Sequence, residues 1–237
     1  MIVGLGLLAI RDLLDAVKSG APSAAALGRP ARIMIFGNSQ SARVVNTMLA
    51  LDLEYGRDGR PVFDAAFLFA GGAGKGGFNA RFAQTTRHFS QFEEQIYPTD
   101  VPPFDAATLL GPGTAPKLII AGGATDYWTR AFSLVSTTVD GARDLALDPR
   151  LRLFLLAGAP HGAGQAGPAR RGLELCNNPL DTRPALRALY AALWAWVERG
   201  EAPPASRYPR LADGSLVDLA AYRAAFPPKP GASSPPG

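Results

Sequence analysis

Cysteine and histidine are scarce in this chain of 237 residues. The single cysteine, Cys176, excludes an intrachain disulfide bond and any metal site built from several cysteines. Only two histidines, His88 and His161, could serve as a catalytic base. The sequence therefore predicts neither a disulfide-stabilised fold nor a metal site, and it leaves two positions to consider for a catalytic histidine.

Lysine is also rare, and the formal net charge of +4 comes mainly from arginine. The arginines are scattered along the chain and do not form a basic stripe with interleaved aromatic residues. Nucleic-acid-binding domains concentrate such charge on one face or along one helix. We therefore predict no nucleic-acid partner.

Uninterrupted apolar runs are short in this sequence. None approaches the roughly 18 residues of a membrane-spanning helix, so no membrane span is predicted. The apolar segment from Met1 to Ile10 has no positive region before it and is followed at once by Arg11, unlike an export signal. Apolar residues at helical spacing from Leu5 to Val17 predict instead an amphipathic helix. The sequence assigns neither a cellular compartment nor an oligomeric state.

Strand and helix patterns alternate along the rest of the chain, which is 47% hydrophobic. Short apolar runs that end in glycine or another small residue predict four strands, at 32–36, 61–70, 117–122 and 151–157. Apolar residues at helical spacing predict helices at 40–54, 127–138 and 181–199. This order predicts an α/β fold in which helices flank a mostly parallel sheet.

Two segments fall outside this alternation. Residues 71–116 are rich in glycine and proline, and their length predicts an excursion or cap rather than a simple connection. The glycines at 71–77 lack the residues that would complete a phosphate-binding or dinucleotide-binding loop, so no cofactor is predicted. Residues 223–237 form a proline-rich tail predicted to be disordered, which leaves 1–222 as a single domain.

A candidate nucleophile lies between the first predicted strand and the helix after it, in Gly37-Asn38-Ser39-Gln40-Ser41. Serine hydrolases place their nucleophile on such a strained strand-to-helix turn, with small residues two positions before and after it because the backbones pass closely. Gly37 and Ser41 meet that requirement. The pattern predicts that Ser39 is a catalytic nucleophile.

A serine nucleophile needs a histidine base and an acid, in the chain order serine, acid, histidine. His161 follows the strand at 151–157, whereas His88 has no strand directly before it. Asp126 follows the strand at 117–122 in the same way and is the predicted acid. Three other aspartates are alternatives, in a polar stretch after the next predicted helix: Asp140, Asp144 and Asp148.

These roles predict a mechanism. His161 takes the proton of Ser39 as the serine attacks an acyl carbonyl, and Asp126 orients the imidazole. The backbone N–H of Gln40, at the start of the following helix, donates to the oxyanion. The expected partner is a small-molecule acyl substrate.

Several motifs resemble the little-characterised alpha/beta hydrolase domain family, whose members carry a Ser-Gln-Ser-Gly-Arg elbow. They are Gly-Asn-Ser-Gln-Ser-Ala-Arg at 37–43, Gly-Arg-Pro-Val-Phe-Asp at 59–64, Phe-Asn-Ala-Arg-Phe-Ala at 78–83, Tyr-Pro-Thr-Asp at 97–100, Asp-Tyr-Trp at 126–128 and Pro-Pro-Ala-Ser-Arg-Tyr-Pro at 203–209. The resemblance runs from about Gly4 to Val217. It implies an α/β-hydrolase fold with Ser39, Asp126 and His161 as the catalytic residues.

The same resemblance implies a long region before Arg11 that supplies the first strands of the sheet and a second oxyanion donor. We therefore expect a C-terminal part of the domain that lacks the N-terminal strands, with an unpaired edge on the strand at 32–36. The predicted function is a serine hydrolase of esterase type. The alternatives are a catalytically inactive fragment or non-enzymatic binding domain, and an acyltransferase that uses the same acyl-enzyme.

Overall fold

The structure, a computed structural model, describes residues 5–75, 110, 116–164 and 178–225. Its centre is a sheet of four strands: β1 (Met34–Asn38), β2 (Ala65–Phe69), β3 (Lys117–Gly123) and β4 (Leu151–Leu156). The strands lie in the order β1-β2-β3-β4, and each neighbouring pair is parallel. The predicted mostly parallel sheet flanked by helices is confirmed.

Five α-helices belong to the described residues: α1 (Leu5–Ser19), α2 (Gln40–Ala50), α3 (Ala124–Thr129), α4 (Arg183–Arg199) and α5 (Leu219–Ala225). Two short 3₁₀ helices lie at Pro22–Leu27 and Phe132–Val135. No helix among the described residues is long and apolar enough to cross a bilayer.

Both faces of the sheet are covered by apolar side chains. Successive residues of a strand point to opposite faces, and all five residues of β2 are buried. Leu68 packs in a cluster with Met48 of α2, whereas Phe67 packs in a second cluster with Leu193 and Trp196 of α4. The sheet is therefore the middle layer between α2 on one face and α4 on the other.

Two predicted helices are longer than the observed ones. The helix predicted at 127–138 is wrong beyond Thr129, because Ala131 has a left-handed φ of 51° that an α-helix cannot continue. The chain turns there and buries Phe132, whose ring lies against Gly122 of β3. The helix predicted at 40–54 ends at Ala50. At 127–138 the burial of Phe132 overrides the local pattern, whereas beyond α2 the backbone of Asp52 has a left-handed φ of 53°.

The sheet ends at β1 within the described residues, because β1 pairs there with β2 alone. The ring of Phe36, on β1, is 54% exposed and contacts Phe67 of β2 in an edge-on arrangement at 5.6 Å. Much of the predicted cap lies outside the described residues, at 76–109 and 111–115, as does the predicted tail from residue 226 onward.

Candidate active site

The three residues predicted to act together follow three different strands. Ser39 comes directly after β1, Asp126 lies in α3 just after β3, and His161 follows β4. The carboxyl ends of parallel strands lie at the same edge of a sheet, which is where ligand sites form in α/β folds. The topology therefore brings the three side chains to one edge.

The turn that holds Ser39 is strained. Ser39 has φ 53° and ψ −111°, a conformation that costs a non-glycine residue about 1–3 kcal/mol. Its backbone N–H donates to the carbonyl of Phe69 at 2.8 Å, which ties the turn to β2. A Cβ atom at Gly37 would lie 2.6 Å from the Cα of Ala42, so only glycine fits there. The small residue expected two positions before the serine has this physical cause.

Ser41 closes the turn from the other side. Its Oγ accepts a hydrogen bond from the backbone N–H of Asn38 at 2.7 Å and donates to the Asn38 carbonyl at 2.9 Å. The backbone N–H of Ser39 points toward β2. Because neighbouring residues of a parallel strand direct their backbone groups to opposite sides, those of Asn38 point away from β2. The Ser41 hydroxyl therefore satisfies both backbone groups of Asn38 at the outer edge of β1. The sequence pattern indicates only that a small residue is needed at Ser41 and does not reveal this role.

A continuous chain of hydrogen bonds joins the three side chains. The Oγ of Ser39 lies 2.8 Å from Nε2 of His161, and Nδ1 of His161 lies 2.5 Å from Oδ1 of Asp126. The other oxygen of Asp126 accepts the backbone N–H of Gly123 at 2.7 Å. A carboxylate at Nδ1 favours a proton on that atom, which leaves Nε2 free to accept the proton of the serine. His88, the other histidine, lies outside the described residues.

Burial distinguishes the acid from the base. The side chain of Asp126 is completely buried, whereas that of His161 is 37% exposed. Because the carboxylate makes hydrogen bonds with both of its oxygens, its position is fixed. The imidazole therefore remains partly accessible, unlike the carboxylate.

Close backbone contact holds the acid and histidine segments together. A Cβ atom on Gly123 would lie 2.6 Å from the carbonyl oxygen of Ala159 and 2.7 Å from that of Pro160. The backbone N–H of Thr125 also donates to Ala159, at 3.3 Å. Gly123 therefore sets the separation of Asp126 from the histidine segment. Apart from the glycine itself, no sequence pattern indicates this contact.

Gln40 begins α2 directly after Ser39. The first N–H groups of a helix have no partner within the helix, and the helix dipole makes this end favourable for negative charge. The predicted oxyanion donor thus occupies the first position of a helix that starts at the nucleophile.

The glycine segment after β2 packs behind this turn. The buried side chain of Asn46, on α2, donates to the carbonyl oxygens of Gly72 at 3.1 Å and Gly74 at 2.9 Å. A Cβ atom on Gly71 would lie 2.6 Å from the Cβ of Ala42, so the segment needs glycine to approach α2. Burial lowers the pKa of Lys75, at the end of this segment. Gly71 is thus explained by packing, and the sequence pattern does not identify Asn46.

The competing acids have structural contacts elsewhere. The carboxylate of Asp140 accepts hydrogen bonds within its own turn, and that of Asp144 accepts two backbone N–H groups at 211–212. Asp148 pairs with Arg150 at 2.8 Å, and the guanidinium holds the pKa of this carboxyl below its usual value. Among the described residues, no group of three metal-binding side chains is present.

Comparison with known proteins gives one match. A family model described as an alpha/beta hydrolase domain matches residues 4–223. No curated protein and no solved structure matches the chain. The match therefore extends over nearly all of the elements described above, including the three strand ends of the candidate site.

Proposed function

The chain belongs to the alpha/beta hydrolase domain family, and we propose that it is a serine hydrolase of esterase type that acts on carboxylic esters or related acyl compounds. The unbroken hydrogen-bonded series of Ser39, His161 and Asp126 carries this proposal. A nucleophile, a base in contact with it and a buried acid that orients the base are the parts that acyl transfer to a serine requires.

The first half of the reaction forms an acyl-enzyme. Ser39 Oγ attacks the carbonyl carbon of the substrate while its proton passes to Nε2 of His161, 2.8 Å away. The carbonyl oxygen takes up the negative charge. The imidazolium then gives its proton to the departing alcohol, so that the ester bond breaks and the acyl group stays on Ser39.

Two groups stabilise the charges that develop in this step. The Asp126 carboxylate, fixed by the N–H of Gly123, lies against the ring that becomes positive. In the proposed mechanism the backbone N–H of Gln40, at the start of α2, donates to the oxygen that becomes negative. The positive φ of Ser39 contributes by directing its side chain out of the sheet edge toward His161.

The second half releases the acid. Water gives a proton to His161 as it attacks the acyl carbon, and the returning proton regenerates the hydroxyl of Ser39. The products are a carboxylic acid and an alcohol, and one water is consumed for each ester.

Ester hydrolysis by purified variants tests this proposal. With p-nitrophenyl acetate, we expect an initial burst of p-nitrophenolate followed by steady turnover. Ser39→Ala should lower kcat by a factor of about 10⁴ or more. Ser19→Ala, which removes an exposed hydroxyl at the end of α1, should leave kcat unchanged. Equal turnover by the protein and by Ser39→Ala would exclude Ser39 as the nucleophile.

A further inference from the structure

A cavity that Ser39 does not line lies beside the acid segment, against α3. It has a volume of about 760 Å³, within the usual range for small-molecule sites. Its walls come from α3, the turn at 137–141, the end of β4, the segment 209–219 and α5. Neither Ser39 nor His161 is among the described residues that line it. We call it the α3–α5 cavity.

The lining of the α3–α5 cavity is largely apolar and aromatic. Leu134, Leu155 and Leu216 contribute aliphatic surface. The ring of Trp128 contacts those of Tyr127 and Tyr222, with centroid separations of 6.1 Å and 5.9 Å. Trp128 remains 51% exposed although it has two aromatic neighbours. The lining therefore includes three aromatic rings that contact one another through Trp128.

The charge of this lining opposes that of the whole chain. The chain has a formal net charge of +4, yet none of the described lining residues is a lysine, arginine or histidine. Among the described lining residues, the acidic side chains are the carboxylates of Asp140 and Asp218. Each has a fixed position, because Asp140 accepts the Thr138 hydroxyl at 2.6 Å and Asp218 accepts the N–H of Ala221 at 2.7 Å.

We propose that the α3–α5 cavity binds an apolar organic cation, such as an amine attached to an aromatic or aliphatic body. Aromatic faces attract cations and aliphatic walls bind the apolar body. Two carboxylates in the lining, with no basic side chain among its described residues, favour a positive ligand and disfavour a negative one. The site is distinct from the proposed esterase chemistry and does not depend on it.

Three probes with the same ring system test the charge preference: 1-naphthylmethylammonium, 1-naphthylmethanol and 1-naphthoate. The ¹⁵N-labelled chain reports binding through the amide shifts of Gly141 and Gly158, which line the cavity, and of Gly200, at the end of α4. We expect saturable shifts at Gly141 and Gly158 but not at Gly200. The cation should bind about tenfold more tightly than the anion, with the alcohol between them.

A matched pair of variants locates the site. Val217 lines the cavity and is 48% exposed, so Val217→Arg places a long cation there without disturbing the core. Leu13 on α1 is 53% exposed and does not line the cavity. Val217→Arg should abolish binding of 1-naphthylmethylammonium, and Leu13→Arg should leave it unchanged.

Three results would overturn the proposal. The first is equal or tighter binding of 1-naphthoate or 1-naphthylmethanol, and the second is the absence of saturable shifts with the cation. The third is retention of its binding by Val217→Arg. Ser39→Ala should bind the probes like the unchanged protein, so failure here is distinguishable from failure of the esterase proposal.

Discussion

The carboxylate of Asp126 lies 2.5 Å from Nδ1 of His161, and its side chain is excluded from solvent. Its second oxygen accepts the N–H of Gly123, so the side chain cannot turn away without losing a hydrogen bond. This contact joins α3 to the loop after β4 and fixes which ring nitrogen of His161 carries the proton. Much of the proposed chemistry depends on it.

Replacement of Asp126 by asparagine should remove this control of the tautomer. Asp126→Asn should lower kcat for p-nitrophenyl acetate by about 10⁴, because the amide favours the wrong tautomer of His161 while the fold is kept. The circular dichroism spectrum should not change. Asp58→Asn, at an exposed carboxylate paired with Arg60, should retain full activity. Full activity of Asp126→Asn would assign the acid to another residue.

Gly123 should tolerate no side chain. Gly123→Ala places a Cβ atom 2.6 Å from the carbonyl oxygen of Ala159, so the acid and histidine segments must separate. We expect a loss of about 1–3 kcal/mol in the free energy of unfolding and a large loss of esterase activity. Gly162→Ala is the matched control, because a Cβ atom there meets no heavy atom within 4 Å. Similar stability of the two variants would contradict the close contact.

The hydroxyl of Ser41 should support the reactivity of Ser39. Ser41→Ala leaves the backbone N–H and C=O of Asn38 without their side-chain partner. Because the turn that positions Ser39 loses this support, we expect a fluorophosphonate to modify Ser39 about tenfold more slowly in Ser41→Ala, the factor that corresponds to one lost hydrogen bond. Ser41→Thr keeps the hydroxyl and should restore most of the rate. Equal rates for the alanine variant and the unchanged protein would limit Ser41 to packing.

Glu54 should make stability depend on pH. This residue is fully buried, neither carboxylate oxygen has a hydrogen-bond partner among the described residues, and burial raises its pKa to about 7. The unfolded chain loses this proton near pH 4.5, the ordinary value for glutamate. The folded protein therefore holds this proton more tightly than the unfolded chain does. Its free energy of unfolding is highest at low pH in this respect and declines as pH rises from about 4.5 to about 7.

Glu54→Gln tests this assignment by removing the titration. Its free energy of unfolding should exceed that of the unchanged protein by up to about 3 kcal/mol above pH 7, and by much less near pH 4.5. Urea unfolding at several pH values measures the difference. Glu198→Gln, at an exposed position near Arg32, should show no such trend. A difference that is constant with pH would rule out the raised pKa.

Strand positions and the residues of the site could be predicted from the sequence because both depend on local patterns. Apolar runs that end in small residues identified the strands, and the small residues around Ser39 identified the turn. With only two histidines in the chain, the order serine, acid, histidine pointed to Asp126 and His161. The structure joins these three in one chain of hydrogen bonds through His161.

Features that depend on tertiary contact could not be predicted. The apolar spacing at 127–138 suits a continuous helix, but the burial of Phe132 against Gly122 requires a turn at Ala131. The bridge from Ser41 to Asn38 depends on the geometry of the turn, and the need for glycine at Gly123 depends on a loop that follows another strand. Residue type alone indicates none of these contacts.

Covalent labelling with a fluorophosphonate tests the central claim most directly, because it requires an activated serine but no knowledge of the substrate. The unchanged chain should acquire one label, located by peptide mass spectrometry on Ser39. Labelling should be lost in Ser39→Ala and strongly slowed in His161→Ala. An unlabelled Ser39, or a label on another serine that persists in Ser39→Ala, would contradict the account.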